Sequence, residues 1–194
     1  MTNAATSRNP AADAFWAGLA ARDHCVQIYD NDRVFLTALE GFVAGGIRQG
    51  DSIVLIATPA HLSALSARLQ RNGFDVAAAT RRGQYIALDA AQTLARFMVD
   101  GWPDQARFNA VIDEVLGRAR AHHHKVRAFG EMVALMWADG QCEAAVQLEH
   151  FWARLCADEQ FSLFCAYPKS GFVDHGDEAG IRQVCAAHSK LYTM

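Results

Sequence analysis

Residues 50–58 read GDSIVLIAT. A continuous apolar run bounded by turn residues is the pattern of a strand buried on both faces. Thr58 follows as an N-cap and Pro59 takes the first helical position. HLSALSARLQRNGF (61–74) then places Leu62, Leu65 and Leu69 at helical spacing, and Asn72-Gly73 stops it. A strand covered on both faces needs helices above and below it. Where such strands alternate with helices of ten or more residues, parallel βαβ units are implied.

The rest of the chain repeats the alternation. HCVQIYD (24–30) reads as a strand, and Asn31 or Asp32 can cap a helix carrying Phe35, Leu36, Leu39, Phe42 and Val43. Gly45, Gly46 and Gly50 are expected to break that helix. QYIALDA (84–90) is a further strand, and Asp89 caps a helix carrying Leu94, Phe97 and Met98 until Trp102-Pro103-Asp104 interrupts it. A helix from Asp104 to Ala121 leads to the strand KVRAFGE (125–131). Helices over 131–139 and 141–158 flank Asp139-Gly140, FSLFCAYP (161–168) is the last strand, and an amphipathic helix covers 177–188. The expected fold is a three-layer α/β/α domain with a mostly parallel central sheet of about five strands. Residues 1–9 read as a frayed leader, and 11–21 as a short helix with Phe15, Trp16 and Leu19 on one face. The division is 1–23, leader and helix, and 24–191, one domain, which suits 194 residues at roughly 150 per domain.

In such folds ligands bind at the carboxyl ends of the strands. The stretches to search are Tyr29–Asp32, Thr58–His61, Leu88–Ala91, Phe129–Met132 and Tyr167–Lys169. The turn after 52–57, ATPAHLSAL, has no glycine and no lysine, and Pro59 removes an N–H donor. It cannot wrap a triphosphate as a Gly-rich, Lys-bearing loop does. No GxGxxG follows a strand and no GxSxG occurs.

Charge excludes other classes. The net charge is −3, so no basic field draws nucleic acid or an anionic membrane. No apolar run approaches the ~20 residues of a membrane span. The N-terminus lacks a charged start followed by an apolar core, so a cytoplasmic location is expected. The five cysteines, Cys25, Cys142, Cys156, Cys165 and Cys185, are odd in number and form no CxxC pair. Cys25 and Cys165 lie in apolar runs and read as small buried hydrophobes.

Individual residues stay open between structure and function. Glu131, just past the strand 125–130, is either a ligand-contacting carboxylate or a first-turn acid favoured by its helix dipole. Arg127 pairs with Glu131 or Glu149, or points to solvent near an edge. Glu149 falls beside the apolar stripe of Leu148, Phe151, Trp152 and Leu155, which suits a solvated flank. His122-His123-His124 reads as a solvated loop. Cys185 and His188 can share a helix face, but two ligands without partners make no zinc site, so no metal is expected.

HCVQIYDNDRVFLTAL, GFVAGGIRQGDSIVLIATPAHLSAL, LDAAQTLARFMVDGWPD, VRAFGEMVALMWADG, LEHFWARL and FSLFCAYP together resemble the MEDS domain, the methanogen/methylotroph DcmR-type sensory domain. The terminal VCAAHSKL is similar to the end of its kinase-associated members. The resemblance implies a RecA/KaiC-like core without a working phosphate loop, as the ATPAHLSAL turn suggests. It also implies a sensory module for small molecules, one-carbon or hydrocarbon-like compounds among them. Family members are attached to histidine kinases or DNA-binding regulators, or are encoded alone. This chain shows no kinase segment and no helix-turn-helix, so its output is expected to pass through a partner protein, a histidine kinase or regulator. The resemblance raises His24, Tyr29, Glu131 and Glu149. With the strand-end residues Thr58 and His61, and with Arg127, they form the candidate ligand-binding set. No catalytic residue and no cofactor is implied. Two alternatives stand beside the sensor: an enzyme using Glu131 with His24 or His188, and a degenerate ATPase-like domain used for homo-oligomerisation.

Overall fold

A computed structural model describes residues 10–121, 125–174 and 178–193. The leader 1–9 and the run His122–His124 lie outside the described residues. In chain order the elements are α1 (Pro10–Ala17), β1 (His24–Tyr29), α2 (Asp32–Gln49), β2 (Ser52–Ala57), α3 (Pro59–Arg71), α4 (Val76–Arg81), β3 (Tyr85–Asp89) and α5 (Ala90–Ala95). There follow β4 (Met98–Val99), β5 (Trp102–Pro103), α6 (Gln105–Arg120), β6 (Val126–Gly130), α7 (Met132–Ala138) and α8 (Cys142–Glu159). β7 (Ser162–Pro168), α9 (Lys169–Asp174), α10 (Glu178–Ala186) and β8 (Lys190–Leu191) complete the chain.

Among the described residues one sheet of six strands runs in the order β3-β2-β6-β7-β1-β8. Every pairing in it is parallel. The apolar run of β2 shows why. Ile53 and Leu55 join a core with Phe35, Leu39 and Phe42 of α2 and Leu65 and Leu69 of α3. Val54 and Ile56, pointing the other way, join a core with Phe108 and Ile112 of α6, Met132 and Met136 of α7, and Trp152 of α8. Alternation in a strand sends successive side chains to opposite faces, so both faces demand apolar residues. Each fully buried Ile, Leu or Phe contributes about 1.5–3 kcal/mol relative to exposure. The three-layer α/β expectation is met, with a sixth strand, β8, added at the edge beside β1.

Two local expectations are corrected, and one helix is added. Gly45 and Gly46 do not end α2; it runs to Gln49, and Gly50 caps it in the left-handed region at φ 78°. Gly46 is there for space: a Cβ would lie 2.5 Å from Ile53 Cδ1 and 2.8 Å from Arg127 Cδ. The helix after Asp89 ends at Ala95, and Met98–Val99 pairs with Trp102–Pro103 as an antiparallel hairpin. Its two-residue turn, Asp100-Gly101, has φ 49° and 83°, the positive values that such hairpins need. Finally, α4 interrupts the stretch before β3, capped by Asp75, whose side chain accepts the Ala78 N–H.

Candidate functional site

β2 and β6 are neighbours in register, with Ile56 opposite Gly130. Beyond their carboxyl ends the chain departs in opposite directions. α3 packs on the face holding Leu65 and Leu69, while α7 buries Met132 and Val133 on the other. Such a divergence is where open α/β sheets form their ligand crevices. Glu131 stands at this point. Its N–H donates to the Ile56 carbonyl at 2.8 Å. Its side chain does not cap its own helix. The carboxylate instead crosses to the start of α3, accepting the Thr58 N–H at 2.8 Å and His61 Nδ1–H at 2.6 Å. Thr58 Oγ1 caps the same helix by accepting the His61 N–H at 3.4 Å. The sequence offered Glu131 the dipole of its own helix; the structure gives it the amino end of a different one.

Aromatic rings close one side. Tyr29 stacks on Phe35 at 4.8 Å, and Phe35 meets the His61 ring edge-on at 4.9 Å. Asp32 Oδ1 lies 3.9 Å from His61 Nε2 and is largely exposed. The Glu131 hydrogen bond holds the His61 imidazole pKa above its ordinary value, with the charges of Glu131 and Asp32 adding to it against the opposing effect of burial. Burial pushes the Tyr29 phenol up, and the Glu131 and Asp32 carboxylates push it further. Tyr29, Thr58, His61 and Glu131 thus converge on one place.

His24 and Glu149 converge elsewhere, in the layer between the sheet and α8. Glu149 is not on a solvated flank: it is fully buried. The flank of its stripe is covered because α8 is packed by α7 and α10, while Leu148 and Trp152 join the core of Val54, Ile56 and Leu163 on the sheet. Tyr167 of β7 donates its hydroxyl to Glu149 Oε1 at 2.5 Å. His24, Glu149, Cys165 and His188 bring four potential metal-ligating atoms within 4.8 Å of one another. Cys185, three residues before His188, is not among them; Cys165 from β7 is. Burial lowers the His24 imidazole pKa, as does nearby His188, and raises the Cys165 thiol, the Tyr167 phenol and the Glu149 carboxyl.

Arg127 takes none of the three placements considered for it. β6 is a central strand, so its side chain is buried rather than at an edge, and it points to the face away from Glu149. It donates to Asp51 Oδ2 at 2.7 Å, the Trp16 carbonyl at 2.7 Å and Gln49 Oε1 at 2.9 Å. A guanidinium with a buried carboxylate and two further acceptors is a structural tie, fastening α1 and the end of α2 to the sheet. A surface cleft lined by Arg120, Lys125, Val126, Asp158 and Glu159 opens at the amino end of β6. It shares no residue with either cluster.

The histidine pairings could not be read from sequence spacing. His61 lies 70 residues from Glu131, and His24 lies 141 from Cys165. For His61 the usable signal is its place in the first turn after a strand end, which put it in the candidate set.

Comparisons with known proteins agree with this architecture. A solved structure from Pyrococcus horikoshii OT3, described only as a structural study of a project target, is similar in fold. The TM-score is 0.59 at 10% identity, covering 93% of this chain and 85% of that one. No curated protein matches the chain. No helix among the described residues is long and apolar enough to cross a membrane. The family model described as MEthanogen/methylotroph, DcmR Sensory domain matches residues 23–189. With most of its length so matched, the chain belongs to the MEDS family of sensory domains.

Proposed function

We propose that the chain is a sensory module whose ligand or partner is read at the Glu131–His61 junction and whose output is a separate effector, a histidine kinase or a transcription regulator. The observation that carries this reading is the single carboxylate joining helices on opposite faces of the sheet. Glu131 begins α7 yet satisfies the Thr58 N–H and the His61 imidazole at the start of α3. A small molecule bearing an acceptor group competes for those two donors. Once displaced, Glu131 no longer ties α3 to α7, and the helices are free to move relative to one another. A ligand shifts such an equilibrium only through different contacts in the two states, and these donors supply the difference. Membership of a sensory family supports the same reading. The module carries out no reaction.

A second reading rests on the 2.6 Å contact itself, since a carboxylate that orients an imidazole is also an acid–base pair. It requires a substrate atom at His61 Nε2, the nitrogen that faces Asp32. A thermal-shift screen with short-chain alcohols, carboxylates, halogenated methanes and nucleotides separates the two. The sensor reading expects a compound that raises the melting temperature and is recovered unchanged. Turnover of that compound favours the enzyme. A screen in which nothing shifts the melting temperature, with no protein co-purifying, contradicts the sensor.

A further inference from the structure

We propose that His24, Glu149, Cys165 and His188 form a buried site for a divalent transition ion of the zinc type. The site lies apart from the Glu131–His61 junction and does not depend on the reading of it. Three observations carry the proposal: the spacing of the ligand atoms, the way their other atoms are held, and the count of protons between them.

Four of the six distances between the ligand atoms are close to the edges of a zinc tetrahedron. Zinc bonds of ~2.0–2.1 Å to nitrogen, ~2.0–2.2 Å to oxygen and ~2.3 Å to sulfur give ligand–ligand edges of about 3.3–3.6 Å. Here His24 Nε2 lies 3.4 Å from Cys165 Sγ and 3.5 Å from Glu149 Oε2. His188 Nε2 is 3.6 Å from Glu149 Oε2, and Cys165 Sγ is 3.8 Å from it. The remaining two edges, from His188 Nε2 to His24 Nε2 and to Cys165 Sγ, fall within 4.8 Å, so an ion at the centre draws the His188 ring inward.

Each ligand is oriented from behind. Nδ1 of His24 meets the Ala187 carbonyl at 3.1 Å, and Nδ1 of His188 meets the Val184 carbonyl at 2.6 Å. A carbonyl only accepts, so both Nδ1 atoms carry the proton. Both Nε2 lone pairs therefore point inward. Tyr167 engages Glu149 Oε1 and leaves Oε2 for the centre. Metal-binding histidines characteristically give their other N–H to a carbonyl or carboxylate in this way.

The proton count then falls short. Two imidazole lone pairs and Glu149 Oε2 face one another with at most the Cys165 thiol proton and one carboxyl proton between them, and neither reaches His188 Nε2 as a hydrogen bond. His188 Nε2 is buried, its side chain 1% exposed, and has no hydrogen-bond partner. A cation supplies the missing electron-pair acceptor for all four. Binding releases the thiol proton to solvent, together with any proton on Glu149. The thiolate and carboxylate then balance a doubly charged ion, so the dry site is neutral overall. Two imidazoles, a thiolate and one carboxylate oxygen suit zinc or cobalt(II) rather than calcium or magnesium. The ligands come from β1, α8, β7 and the segment after α10, so an ion here fastens the carboxyl-terminal segment to the sheet.

The test uses the full chain, stripped by chelator and titrated with zinc alone or cobalt(II) alone. The expected result is about one equivalent bound, a raised melting temperature, and a thiolate-to-cobalt charge-transfer band with tetrahedral d–d absorption. Cys165→Ser removes the charge-transfer band and His188→Ala weakens retention. Tyr167→Phe, which leaves all four ligands in place, weakens zinc about tenfold or more. Cys185→Ser, and replacement of His122, His123 and His124 by alanine, leave the spectrum unchanged. If a ligand variant does not fold, X-ray absorption of the zinc-loaded wild type decides: a shell with one sulfur and two imidazoles is expected. A wild-type chain that takes up no ion, a zinc shell without sulfur, or a band undiminished in folded Cys165→Ser overturns the proposal.

Discussion

The Glu131 carboxylate accepts His61 Nδ1–H at 2.6 Å while its other oxygen accepts the Thr58 N–H at 2.8 Å. One side chain at the end of β6 thereby supplies the anion for the amino end of α3, a place where a helix dipole favours negative charge. Replacing it with glutamine keeps the shape and an acceptor but removes the charge. Hydrogen bonds to a charged group are worth about 1.5–3 kcal/mol. Glu131→Gln is therefore expected to lose up to that amount, read as a fall of several degrees in melting temperature at pH 6. An unchanged melting temperature would show that the charge of Glu131 does not stabilise the junction.

The same pair gives a pH dependence with a definite sign. Glu131 and Asp32 raise the His61 pKa in the folded protein above its unfolded value near 6.5. A raised basic group adds stability below its unfolded pKa, and loses it as pH climbs through the folded pKa. The difference in stability between wild type and His61→Gln should be largest at about pH 6 and shrink toward pH 9. Denaturant unfolding of both proteins across that range checks it; a difference that grows with pH would reverse the assignment.

Arg127 and Asp51 form a pair with both side chains nearly buried. Removing one partner strands the other charge in the interior, at about 3–5 kcal/mol. Arg127→Ala and Asp51→Ala should each destabilise on that scale, whereas Arg127→Met with Asp51→Leu should recover a large share of it. Urea denaturation of the singles and the double gives the coupling directly. Gly46→Ala should also destabilise, since its Cβ meets Arg127 and Ile53.

At the β4–β5 hairpin, Gly101 has φ 83° and open space where a Cβ would stand. Only backbone strain opposes a substitution there. Gly101→Ala should cost about 1 kcal/mol and leave ligand responses unaltered, since the turn lies outside both clusters. A loss much larger than this, by thermal denaturation, would mean the hairpin carries more than its turn.

The layering of the domain was legible because β2 and β7 are apolar on both faces and the strands alternate along the chain with helices. The Asp100-Gly101 hairpin was also written in the sequence, but Leu94, Phe97 and Met98 mimic a helical period and hid it. β8 has two residues, too few for any period to register. The candidate residues divide in the same way. Thr58, His61 and Glu131 follow strand ends, so a parallel sheet puts them at the same edge; that β2 and β6 adjoin is seen only in the fold. The surroundings of Glu149 and Arg127 depend on partners far away in the chain. Asp51 is 76 residues from Arg127, and Tyr167 meets Glu149 from another element. Beside an apolar stripe, a carboxylate looks like flank until the second layer that covers it is known.

The most direct measurement of the central claim follows the Thr58 amide and the His61 imidazole by nuclear magnetic resonance while the full chain is titrated with the compound panel. A ligand that displaces Glu131 shifts the Thr58 N–H resonance and lowers the His61 pKa toward its ordinary value, and at least one compound is expected to do both. If compounds bind and stabilise the protein while both signals stay where they are, sensing does not pass through Glu131.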